Sequence, residues 1–143
     1  MSYLLDTSVL VPAFVEIHPN HERAYRWLER AAAGDIEGAL SMHSLAEAYC
    51  VLTTLPIKPR IAPALAWSVI RDSTPDLETV ALTVDDYRRA LQRMAELGLP
   101  GGVVYDALIA RAAQKIDAEA LLTFNVRHFR RVWPEGHDRI LAP

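Results

Sequence analysis

Four positions in this chain carry side chains able to coordinate or polarise, and each lies at the end of an apolar stretch or on the flank of one: Asp6, Glu47, Asp106 and Asn125. Asp106 is the most out of place. In Val104-Tyr105-Asp106-Ala107-Leu108-Ile109-Ala110, a turn of about 100° per residue points its carboxylate the same way as Ile109, Ala110 and Ala113, the face that should meet a core. An isolated ionised carboxylate is strongly disfavoured there, so a cation or the positive end of its own helix must compensate it. Asp6 directly follows the apolar run Tyr3-Leu4-Leu5, and Asn125 follows another that ends at Thr123-Phe124. Glu47 falls in a first helical turn, at the edge of an apolar stripe beside Val51.

Three carboxylates brought together repel by about 4 kcal/mol per pair at about 4 Å and an effective dielectric near 20, so they remain ionised only around a cation. Oxygen donors without cysteine or paired histidine suit Mg2+ or Mn2+ better than zinc. Held by few protein groups, such an ion keeps waters and open positions, binds a phosphodiester oxygen and acidifies an attacking water. The chemistry implied is metal-assisted phosphodiester hydrolysis, with Asp6, Glu47 and Asp106 on the metal directly or through water. Thr7 and Ser8 would hold Asp6 by hydrogen bonds, or Ser8 would reach a metal-bound water, with Thr123 in support at the end of the later strand. Taken singly, Asp6, Thr7 and Ser8 also read as helix caps and Glu47 as a solvated acid.

The elements that must position these groups alternate. Strands are expected at Tyr3 to Leu5, Gly38 to Met42, Leu77 to Leu82 and Ala118 to Phe124, with a possible short edge strand in the tail near Ile140 and Leu141. Between them the pattern predicts a short helix from Val9 to Val15, a helix capped by Asn20 and ended by Gly34, and one from Leu45 to Leu55 capped by Ser44. Further helices are expected with Pro63 in a first turn, from Val84 to Gly98 with Thr83 and Asp86 in a capping-box pattern, and around Asp106 after Pro100-Gly101-Gly102. Such alternation argues a parallel sheet wrapped by helices, with ligands gathering beyond the carboxyl ends of the strands where strand order reverses. If the first and fourth strands are neighbours, the four side chains can converge.

At 143 residues the length fits one domain, residues 1–143, and a formal charge of -3 excludes a generally basic nucleic-acid binder. Contact with phosphates must then be local or metal-mediated. The one basic cluster beside the proposed site is Arg127, Arg130 and Arg131 with His128, suited to guiding a nucleic-acid backbone. Phe129 and Trp133 are expected to pack, and His18, His21, His43 and His137, lacking ligand spacing, to be surface or structural. The single Cys50 reads as a small buried apolar residue and fits a reducing, cytoplasmic setting. Neither a signal segment nor a membrane span is expected.

Leu4-Leu5-Asp6-Thr7-Ser8, Ser44-Leu45-Ala46-Glu47, Tyr105-Asp106-Ala107-Leu108-Ile109-Ala110 and Leu121-Leu122-Thr123-Phe124-Asn125-Val126-Arg127-His128-Phe129 together resemble the successive motifs of the PIN-domain ribonucleases, in particular VapC-type toxins of toxin–antitoxin pairs. The resemblance spans nearly the whole chain. It implies a three-layer α/β/α PIN-like fold with a mostly parallel sheet of four to five strands, and an Mg2+- or Mn2+-dependent endoribonuclease. It also implies a homodimer and a small antitoxin partner. By motif position, Asp6, Glu47, Asp106 and Asn125 take the catalytic roles. Many relatives carry aspartate at the last of these, so Asn125 implies one well-occupied ion, any second being recruited along with substrate phosphates. The alternative is a non-catalytic PIN-like module that binds RNA or protein. A phosphoaspartyl phosphatase or receiver also begins strand-Asp, but the phosphatase pattern wants a second aspartate where this chain has Ser8.

Overall fold

The computed structural model describes residues 1–143. Its elements in order are β1 (Ser2–Leu5), α1 (Thr7–Phe14), α2 (His21–Ala32), β2 (Glu37–Ser41), α3 (Met42–Thr54), α4 (Pro63–Ser73), β3 (Leu77–Val80), α5 (Val84–Leu97), α6 (Val103–Lys115), β4 (Ala120–Leu122), α7 (Val126–Val132), a 3-10 segment (Pro134–Arg139) and β5 (Ile140–Leu141). The five strands form one sheet in the order β3-β2-β1-β4-β5, every pairing parallel. The chain builds outward from β1 through β2 to β3, then returns to the other side of β1 as β4. Strand order therefore reverses between β1 and β4, where a parallel sheet opens a crevice at its carboxyl edge.

Both faces of the sheet are apolar because each strand alternates its side chains between two helical layers. Leu4, Ala39, Leu121 and Ile140 pack under α5, α6 and α7, with Phe129 and Trp133 in the same cluster. Leu5, Leu40, Ala120 and Leu122 face the other way, against α1 and α2. A third, smaller cluster joins Val11 and Val15 of α1 to Ala48 and Leu52 of α3 and Ala66 and Ile70 of α4. The helix punctuation at α5 matches its sequence: Thr83 and Asp86 form a reciprocal capping box, and Gly98 ends the helix at φ 67°.

Some local expectations change. Helix α3 starts at Met42, because the Ser41 hydroxyl accepts the His43 N–H, so Ser44 is not the cap and Glu47 sits in the second turn. Ser44 is instead fully buried and accepts a hydrogen bond from Thr7. Cys50, expected inside, is exposed, as is Tyr49, because α3 buries its Ala48 and Leu52 side. Asn20 stands at the start of α2 without a capping side-chain bond. The seven residues of α7 are not foreseen as a helix: Phe129 and Val132 are buried and Val126 packs against the same cluster, but two turns are too short for a periodic signal.

Candidate active site

Asp6 sits where β1 becomes α1. Its N–H donates to Leu122 O of β4 at 3.0 Å, and its carbonyl accepts the Val9 and Leu10 N–H groups that start α1. The side chain makes no cap bond. Its Oδ2 instead accepts from Ser8 Oγ at 2.7 Å and from Thr123 Oγ1 at 2.8 Å. Ser8 Oγ in turn accepts the Phe124 N–H, and Thr123 Oγ1 accepts the Asn125 N–H. These bonds join the ends of β1 and β4 across the reversal point, so backbone pairing and side-chain contacts fix Asp6 together. At 2 % exposure, Asp6 is partnered by hydroxyls and by no cation. Burial first, then the charge of Glu47, pushes its pKa above the ordinary carboxylate range.

Asp106 lies in the first turn of α6. Its pKa is pushed up to about 6 by burial, then by the charges of Asp6 and Glu47. The start of a helix favours an anion, but here burial and like charge outweigh it. Glu47 departs in the opposite direction. The His43 imidazole, bonded to Glu47 Oε2 at 3.2 Å, holds its carboxyl below the ordinary value. Thr7 does not bond Asp6; its hydroxyl donates to Ser44 Oγ at 3.1 Å, tying α1 to α3 beside Glu47.

Asp6, Glu47, Asp106 and Asn125 line one open cavity of about 340 Å³, with Thr7 and Ser8 in its wall. Asn125 is exposed at the start of α7, and its side chain makes no cap bond. No three acidic, histidine or cysteine side chains are arranged to hold one ion together. The donor set nevertheless fits a small hard cation. It is all oxygen, its acids oppose one another's ionisation, and Mg2+ habitually keeps several waters between itself and protein carboxylates. Arg127, Arg130 and Arg131 lie on α7 outside the cavity wall. Arg127 and Arg131 are exposed, while Arg130 spends its guanidinium on the carbonyls of His137 and Ile140.

Sequence reasoning passed over His43 and His18. His43 was set aside for lack of ligand spacing, although a His–Glu pair four apart on a helix is itself a contact signal. His18 lines the cavity from the loop between α1 and α2, which no periodicity could place.

A cavity of carboxylates at the crossover of a five-stranded parallel sheet defines a PIN-like α/β/α protein. Residues 3–133 match the PIN domain, and the chain belongs to that family. It is 38% identical over 122 residues, 85% of each chain, to ribonuclease VapC40 of Mycobacterium tuberculosis. It is 37% identical over 116 residues, 80% of this chain and 79% of the other, to ribonuclease VapC27 of the same organism. Among solved structures, VapBC2 from Rickettsia felis bound to a DNA fragment from their promoter matches with TM-score 0.66 and 25% identity, over 92% of this chain and 93% of that one. The fold is also that of the DNA-bound VapBC from Salmonella typhimurium, at TM-score 0.69 and 21% identity, covering 99% and 98%.

Proposed function

We propose that this protein is a metal-dependent endoribonuclease and the toxin of a toxin–antitoxin pair. The observation that carries the reading is the cavity at the β1–β4 crossover, lined by Asp6, Glu47 and Asp106 with no lysine or arginine paired to any of them. The ribonuclease VapC relatives and the VapBC structures support it.

Asp6, Asp106 and Glu47 would hold Mg2+ or Mn2+, directly or through water, with the Asn125 amide oxygen as a neutral donor. When bound, the ion supplies Lewis-acid polarisation of a phosphodiester oxygen and a water acidic enough to attack near neutral pH. Ser8 and Thr123 orient Asp6 by bonding Oδ2, which leaves Oδ1 for the cavity. Thr7 steadies the α1–α3 junction below Glu47. Arg127 and Arg131, with less from Arg130, draw the RNA backbone toward the cavity. The reading includes a homodimer, a small antitoxin protein that restrains it, and action in the cytoplasm; no helix is long and apolar enough to cross a membrane.

The test is incubation of purified, antitoxin-free protein with structured RNAs, with and without Mg2+ or Mn2+. Metal-dependent endonucleolytic cleavage, lost in Asp6→Asn and Asp106→Asn, is the expected result. Metal-independent cleavage, or full activity in both variants, overturns the mechanism. Absence of Mn2+ binding by calorimetry would favour a non-catalytic RNA- or protein-binding module instead.

A further inference from the structure

His43 is fixed from two sides. Its Nε2 lies 3.2 Å from Glu47 Oε2, one helical turn further along α3, and its ring stacks on Tyr105 with centroids 5.2 Å apart and planes 3° from parallel. Tyr105 directly precedes Asp106 in α6. One imidazole therefore touches the carboxylate that α3 brings to the cavity and the residue beside the carboxylate that α6 brings. An ionised carboxylate only accepts hydrogen bonds, so Nε2 carries the proton in this contact.

A His–Glu pair on a free helix surface contributes little and leaves both side chains to rotate. His43 is not in that situation. Its side chain is 17% exposed and its ring lies against Tyr105, so its nitrogen is a fixed point to which Glu47 is tethered. Glu47, 31% exposed, would otherwise sample several rotamers at the rim of an open cavity. With Oε2 held, the orientation of the carboxylate is set and Oε1 is left for the cavity. The same ring lies against Tyr105 of α6, so one imidazole bears on both Glu47 and the neighbour of Asp106.

We propose that His43 is a positioning residue of the metal site, holding Glu47 by hydrogen bond and registering α3 against α6 by stacking on Tyr105. This rests on the metal-dependent reading above. Hydrogen-bond partners of ligating carboxylates typically matter by about 10–100-fold in metal affinity.

Calorimetric Mn2+ titration of the purified protein at one fixed pH tests it, with thermal melting to verify folding. His43→Leu is expected to weaken Mn2+ binding by about tenfold or more. His43→Gln, whose amide N–H reaches the position of Nε2, should recover most of the loss. Tyr105→Leu should give an intermediate loss and Tyr105→Phe none. Wild-type affinity in His43→Leu overturns the proposal, and so does a His43→Gln variant no better than His43→Leu. Asp106→Asn is titrated alongside. If it abolishes binding while His43→Leu does not, only the role of His43 fails; if wild-type protein binds no Mn2+, the metal reading itself fails.

Discussion

Asp6 and Asp86 are equally buried, at 2 % and 3 % exposure, yet the chain treats them in opposite ways. Asp86 accepts from Lys115 Nζ at 2.8 Å, from Arg111 Nε at 3.0 Å, and from the Thr83 N–H and hydroxyl, which hold its carboxyl well below the usual range. Asp6 has two hydroxyls and no cation, with Asp106 and Glu47 across the cavity, and its pKa is raised. The Asp86 cluster is electrostatically complete and belongs to the scaffold, locking α5 to α6. The Asp6 cluster is incomplete, and an incomplete buried carboxylate is what a site awaiting a cation requires. Helix α6 takes part in both, with Arg111 and Lys115 anchoring it while its first turn carries Asp106 to the cavity.

The largest effect that tests this contrast is on activity. On the proposed metal-dependent reading, Asp6→Asn should reduce RNA hydrolysis by on the order of 1000-fold, since a polarising ion would contribute several kcal/mol to the transition state. The same substitution should raise the melting temperature of the metal-free protein by about 2–5 °C, because it relieves an uncompensated buried charge. A drop in melting temperature in calorimetry would break the contrast.

Asp86→Asn should do the reverse. Removing the acid strands Lys115 and Arg111, but both are partly solvated, so the expected loss is about 2 kcal/mol rather than the larger cost of orphaning a deeply buried charge. Denaturant unfolding measures it, and cleavage per folded molecule should stay near wild type.

The pH dependence is next in size. Asp106 ionises near pH 6 in the folded protein, above the ordinary value near 4 that the unfolded chain shows. The folded state therefore binds this proton more tightly, and the group's contribution to metal-free stability declines as pH rises from about 4 to 6, then levels off. The opposite sign applies to Asp86, whose contribution is intact above about pH 4 and is lost only on stronger acidification. With Asp106 as a metal ligand, as proposed, metal and proton would compete for it and Mn2+ affinity should weaken as pH falls below about 6. Melting and Mn2+ titrations across this range check both, and Asp106→Asn should remove its share of the slope.

The smallest expected effect concerns the arginines of α7. Arg127→Ala and Arg131→Ala should each weaken RNA binding about two- to fivefold at low salt, with a correspondingly shallower salt dependence. Arg130→Ala should instead show mainly as lost stability, since its guanidinium ties α7 to the tail.

Much of this was legible in the sequence because it is local. The polar residues Asp6 and Thr123 stop apolar runs, a charge at position 106 interrupts a helical face, and Thr83, Asp86 and Gly98 punctuate one helix; each signal lies within a turn or strand of the residue it concerns. The fold class follows from the same alternation of strand and helix patterns, and the sheet does carry a fifth edge strand at Ile140–Leu141. What only the tertiary structure decided is which distant elements meet. The pairing of β1 with β4 joins Asp6 to Thr123 and Ser8 to Phe124, and the approach of α3 to α6 stacks His43 on Tyr105. The outward turn of Cys50 and the commitment of Arg130 to backbone carbonyls were likewise settled by how α3 and α7 bury their apolar sides. Periodicity specifies that a face is apolar, whereas the partner of that face is chosen by packing of the whole chain, and residues that act across such contacts leave no trace at fixed spacing.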